Sequence, residues 1–244
     1  MRHLSTGSSG GKWVVDPSFA AFLPFPINSI IKADDVAQLE ILKNSDWWKN
    51  RRPIPATWVK SDGTRYECEI ELFQMPVGTS DITIGSISYD SNNVATYTPS
   101  KEGYAITNAG VLITSAVTGS TFAGVIMADY WRIETGNENQ HENFRETVLE
   151  EGDIFFIVRG GEYEVYFDGA TTLGRAAIGG GTSGQFSMSS AIATGGTIAQ
   201  YNTSLLENSP GRPDAKSVAW IAEAIGAAGL ADVHLIPYKV RVAS

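Results

Sequence analysis

Thr64-Arg65-Tyr66-Glu67-Cys68-Glu69-Ile70-Glu71-Leu72-Phe73 alternates between apolar and charged side chains almost without a break. A period of two is the strand repeat, so Tyr66, Cys68, Ile70 and Leu72 point to one face and Glu67, Glu69 and Glu71 to the other. The segment reads as a strand with one packed face and one wet face. Ser61-Asp62-Gly63-Thr64 supplies turn chemistry before it, so residues 56–60 and 64–73 are expected to form a hairpin. Further short strands are expected at 82–89, 94–98, 104–107, 111–117 and 121–134, punctuated by turn residues at 90–93, 108–110 and 118–120. Such spacing predicts an all-β chain of sandwich- or barrel-like modules with an extended N-terminal arm and one short helix.

The arm is residues 1–33: a Ser- and Gly-containing start, then an apolar run carrying Trp13, Phe19, Phe22, Leu23, Phe25 and Ile27. Pro24 and Pro26 lack amide donors, which rules out a helix interior or a central strand for Phe22–Pro26. The arm's aromatic rings need cover, either by packing back on their own domain or by reaching a neighbouring subunit. Asp34 and Asp35 then precede Val36, Leu39 and Leu42, three apolar residues at helical spacing behind two acids that suit a helix N-terminus. Residues 34–145 are thus expected to form a β-rich domain opening with that short helix. The polar tract 136–143 is an exposed loop, and 146–244 form a C-terminal β domain. In the latter, 154–158 and 162–167 read as a second hairpin around Arg159-Gly160-Gly161, and Gly179 to Gly184 as a mobile loop. Ala219-Trp220-Ile221-Ala222-Glu223-Ala224-Ile225 reads as strand or as helix, and periodicity alone leaves both open.

Charge narrows the partners. The net charge of −9, from 27 acidic and 18 basic residues, opposes a nucleic-acid surface, which needs excess cations to displace counterions. A single cysteine, Cys68, excludes an intrachain disulfide and a Cys-rich zinc site. The longest apolar run, 19–31, is broken by its prolines, so neither a membrane span nor a signal peptide is read there. A soluble, unexported chain is expected, with the Asn202-Thr203-Ser204 sequon unmodified.

The catalytic possibilities are thin. His3, His141 and His234 are scattered, which does not suit a His-based metal site. Gly179-Gly180-Gly181-Thr182-Ser183-Gly184 has the glycines of a phosphate loop but no following Lys. Glu67, Glu69 and Glu71 are first a solvent face and only then a calcium or glycosidase candidate. No enzyme activity, cofactor or metal is expected. The most unusual cluster is Trp47-Trp48-Lys49-Asn50-Arg51-Arg52, because adjacent Trp residues at a helix end cannot both face one core. Either the basic residues complement the helix C-terminus while both rings pack locally, or the cluster is an interface anchor. A sugar-binding alternative would use Tyr89, Tyr97 and Tyr104 as exposed rings.

The carboxyl-terminal third resembles the small β domains of tailed-bacteriophage capsid decoration (cement) proteins. The residues that carry the resemblance are the Gly152-Asp153 turn, the Gly- and Ala-rich tract 170–200, Val218-Ala219-Trp220-Ile221-Ala222-Glu223-Ala224, the Gly226–Gly229 turn and Val240-Arg241-Val242. The resemblance implies that 218–225 is a strand. It implies an oligomer, a trimer being favoured, seated on the outer surface of a virion capsid assembled in the host cytoplasm, with major capsid protein as partner. Trp13, Phe19, Phe22, Phe25, Trp47, Trp48, Arg51 and Arg52 are the expected capsid or subunit contacts. The alternative is a carbohydrate- or receptor-binding module of a head fibre or tail.

Overall fold

Strands dominate the computed structural model, which describes residues 11–20, 23, 25–49, 52–127, 130–132, 145–190, 198–236 and 238. In chain order the elements begin with β1 (Lys12–Val14), α1 (Pro17–Ala20), β2 (Ser29–Ile31), α2 (Val36–Asn44), α3 (Asp46–Lys49), β3 (Ile54–Val59) and β4 (Arg65–Gln74). Next come β5 (Ile82–Thr83), β6 (Gly85–Tyr89), β7 (Ala95–Pro99), β8 (Ala105–Thr107), β9 (Phe122–Val125), β10 (Trp131–Arg132) and β11 (Val148–Leu149). The chain closes with β12 (Ile154–Phe167), β13 (Ala176–Gly179), β14 (Phe186–Met188), α4 (Ile198–Glu207), β15 (Ser217–Ile221) and β16 (Gly229–Leu235). The protein is all-β. No helix among the described residues is long and apolar enough to cross a membrane.

Two compact units share the chain: residues 1–102 with 126–158, and residues 103–125 with 159–244. This differs from the sequential division at 33 and 145 expected from the sequence, because the chain leaves the first unit at Gly103 and returns to it at Ile126.

In the first unit the predicted hairpin is present. β3 and β4 pair antiparallel from Ile54↔Ile70 to Val59↔Arg65, with Gly63 in the turn at φ +90°. Tyr66, Cys68, Ile70 and Leu72 are buried, as the alternation requires. The supposed extended arm is built into the sheet: Lys12–Val14 pairs with Val59–Thr57, and Ile30 and Ile31 pair with Phe155 and Ile154. An extended, proline-punctuated segment presents free amides before and after its prolines, and a neighbouring strand edge satisfies them. The core gathers Ile30, Ile31, Ile70, Tyr130, Phe155 and Phe156, all fully buried, with Tyr130 edge-on to Phe155 at 5.2 Å. The Tyr130 hydroxyl donates to the Phe156 carbonyl (2.7 Å) and accepts from the Met127 amide (3.2 Å), so its polar end is satisfied inside the core.

In the second unit five strands close on themselves. The C-terminal half of β12 pairs with β16, β16 with β15, β15 with β13, β13 with β14, and β14 returns to β12 through Phe167↔Phe186. Closure leaves no open edge in the ring. Segment 217–221 is therefore a strand, paired on both sides, despite its helix-forming composition.

Four other expectations are corrected. Residues 154–167 form one 14-residue strand and not a hairpin. Gly160-Gly161 lies within it, with Gly161 at φ +82°, and the two halves of the strand take different partners. Residues 111–117 form only a bridge, Leu112 to Ile106 of β8, which pairs along its length with β9. Gly179–Gly184 is a hydrogen-bonded hairpin turn and not a loose loop: Gly180 N–H donates to Gln185 O (2.8 Å), and Gly181 N–H to Asp168 Oδ2 (3.0 Å). The Ile82–Tyr89 strand is divided at Ile84, its ends serving different two-stranded sheets.

Candidate functional site

The expected contact residues are placed in three different ways. Trp13 lies on β1 against Trp58, ring centroids 5.2 Å apart, and Phe25 is buried against Phe156 at 5.2 Å. Both rings are covered by their own chain, so Phe25 in particular is a core residue. Phe19 and Trp48 are half-buried, and Arg52 is exposed. Phe22, Arg51 and the Trp47 side chain lie outside the described residues.

Helix α2 begins as its sequence predicts. Asp35 caps it, its carboxylate accepting the Gln38 amide at 3.2 Å, and Ser45 closes it through its hydroxyl on Leu42 O. The expected face is kept at Leu39, half-buried, and Leu42, buried, but not at Val36, which is 61% exposed; Ile41, off that face, is 67% exposed. Val36 opens the helix just after the chain has left the core at Ile30–Lys32. Uncovered Val36 and Ile41, with half-buried Trp48 and exposed Arg52 further along, make the α2–α3 segment the candidate docking surface. Ile41 escaped sequence reading because it lies between Leu39 and Leu42 and only the observed packing tells the three apart.

Of the tyrosines of the sugar-binding alternative, Tyr89 and Tyr97 share the β6–β7 hairpin, where Ile87 faces Tyr97 and Tyr89 faces Ala95, while Tyr104 belongs to the second unit. Tyr104 is only 8% exposed and stacks on Tyr166 at 5.4 Å, and the Tyr97 ring lies under the Arg145 guanidinium at 5.1 Å. Tyr89 is exposed on the β6–β7 hairpin.

A second cluster, deep in the first unit, was not singled out from sequence. Lys32 follows β2 and is 3% exposed, and Asp153 precedes β12 and is 0% exposed. The Ile31↔Ile154 register brings them face to face on neighbouring antiparallel strands. Lys32 Nζ lies 2.7 Å from Asp153 Oδ2, 2.6 Å from Glu150 Oε2 and 3.8 Å from Glu146 Oε2, and donates to Val148 O at 3.2 Å. Asp153 is held by backbone amides on both oxygens: Ala33 N–H on Oδ1 (3.0 Å) and Glu150 N–H on Oδ2 (2.7 Å). Burial opposes the Lys32 ammonium, yet hydrogen bonds to Asp153 and Glu150 and the surrounding carboxylate charge outweigh it and hold its pKa above the ordinary lysine value. Burial pushes the Asp153 carboxyl above the usual carboxylate range, against the pull of the Lys32 ammonium and the two amides. Asp153 was legible only as half of a Gly-Asp turn, and Lys32 gave no signal, because a lysine between Ile31 and Ala33 reads as an ordinary surface residue.

Compared with protein-family models, with curated proteins and with solved structures, the chain finds no match.

Proposed function

We propose that the protein is a capsid decoration protein that binds the outer lattice of a tailed-phage head as an oligomer and stabilises it by contact. The supporting observation is the conformation of residues 217–221. Composition allows helix or strand over 219–225, the resemblance to cement proteins calls for a strand over 218–225, and Ser217–Ile221 is a strand inside a closed five-stranded ring, with 222–225 beyond its end and leading into the Gly226–Gly229 turn and β16. Such a protein acts through area and not through chemistry. Apolar side chains left uncovered on the free chain are desolvated against the lattice, and many copies multiply modest contacts.

The α2–α3 segment is the surface assigned to the lattice, through Val36, Ile41, Trp48 and Arg52. Phe25 is not carried forward as a contact, since its ring is already buried against Phe156. Cosedimentation with expanded heads of the phage or prophage that carries the gene tests the reading. The purified chain pellets saturably with heads, and Ile41→Asp weakens that binding at least tenfold while leaving the far-ultraviolet circular dichroism unchanged, a factor corresponding to about 1.4 kcal/mol. A chain that stays in the supernatant at every concentration contradicts the proposal. Binding that survives Ile41→Asp and Trp48→Ala together moves the contact to another face.

A further inference from the structure

We propose that Lys32 and Asp153 condense to an intramolecular isopeptide bond that ties β2 to the start of β12. This inference is independent of the capsid reading. It rests on the convergence of a buried amine, a buried carboxyl and a second carboxyl in hydrogen-bond reach of the amine. Lys32 Nζ sits 2.7 Å from Asp153 Oδ2, and the carboxyl carbon is one bond further on. Both side chains are almost wholly excluded from solvent. Their strands fix them opposite one another by the Ile31↔Ile154 pairing, so the reacting groups meet in every folded molecule and the encounter is unimolecular.

The surroundings assign a role to each atom. The ion pair first exchanges one proton, giving amine and carboxylic acid. Water-poor surroundings disfavour this neutral pair less than bulk water does, since they stabilise separated charges poorly. The Nζ lone pair then attacks Asp153 Cγ. Oδ1 accepts the Ala33 amide at 3.0 Å, and that donor stabilises the negative charge that develops there, so Oδ1 remains as the product carbonyl. Glu150 Oε2, 2.6 Å from Nζ, takes a second proton from nitrogen and delivers it to Oδ2. The Nζ–Cγ bond forms, the Cγ–Oδ2 bond breaks, and one water leaves. Nζ keeps one hydrogen, no electrons are gained or lost overall, and no co-reactant is needed.

Asp153 is the electrophile in preference to the other two acids for a geometric reason. Glu150 has a half-exposed side chain, so its carboxylate reaches both the amine and solvent and serves as the proton carrier. Glu146 Oε2 is 3.8 Å from Nζ, and its other oxygen is occupied by the Thr147 and Val148 amides at 2.9 and 3.2 Å. Only Asp153 is both fully buried and held by a backbone amide on each carboxyl oxygen, with one of those oxygens 2.7 Å from the amine.

Intact mass spectrometry of the purified full-length chain under denaturing conditions is the test. The expected mass is that of the sequence minus one water, and proteolysis yields a branched peptide joining the segment around Lys32 to the segment around Asp153. Lys32→Arg, which keeps a cation but removes the nucleophilic amine, restores the full sequence mass. Glu150→Gln, at a half-exposed position that leaves the fold intact, gives a mixture whose uncrosslinked fraction declines over time. A wild-type chain at full mass overturns the proposal, as does a water deficit that maps to a linear peptide.

Discussion

At the scale of single residues, the Lys32–Asp153 contact carries the largest local consequence. Removing one partner of a buried charge pair leaves the other desolvated and uncompensated, which costs about 3–5 kcal/mol. Measured against the uncrosslinked Lys32→Arg chain, in which a cation still faces Asp153, Lys32→Met is therefore expected to lower the urea midpoint by an amount corresponding to that range, far beyond the loss for a surface lysine such as Lys12. A Lys32→Met chain with an unchanged midpoint would mean that water reaches Asp153 in solution. Tyr130 offers a milder case. Its hydroxyl has two partners in the core, so Tyr130→Phe leaves the Phe156 carbonyl and Met127 amide short of one partner each. A loss of about 1–3 kcal/mol in chemical denaturation is expected.

At the scale of elements, the clearest reading and the clearest error come from the same rule. Alternation placed Tyr66 to Leu72 correctly because one face of β4 is packed and the other is wet. It gave no help at β12, where Ile154 to Val158 are buried without alternation and the glycine pair looks like a turn. Two glycines punctuate a chain, yet only the partners on each side decide whether it reverses or continues. Helix α4 was illegible for a related reason: Asn202, Thr203 and Ser204 are poor helix formers and lie mid-helix. The helix is secured from outside its own sequence, with the Asn208 amide donating to Ser204 O (2.8 Å) and Ser190 O (3.0 Å) while its carbonyl accepts the Ser189 hydroxyl (2.8 Å). The role of Gly161 is testable. At φ +82° a β-branched side chain is strained, so Gly161→Val is expected to destabilise by about 1–3 kcal/mol, measured by thermal unfolding. A neutral result would mean that the backbone at 161 relaxes to an ordinary strand conformation.

At the scale of the whole molecule, the all-β class was legible from strand spacing, while the division into units was not. Spacing describes what is near in sequence. The first unit recruits Ile126–Val158 and the second recruits Gly103–Val125, and no composition shift marks either crossing. The candidate surface was half legible: Trp48 and Arg52 stood out by residue type, whereas Val36 and Ile41 became candidates only when the packing of α2 left them uncovered. The sequence likewise flagged Trp13 and Phe25 as unusual but could not say that their own strands and core cover them. We propose that this surface seats the protein on a capsid lattice. Cryo-electron microscopy of expanded heads incubated with the purified chain tests this proposal most directly. Extra density repeating at one class of lattice position on the outer surface is expected, with the α2–α3 segment against the shell; bare heads at saturating protein would contradict the proposal.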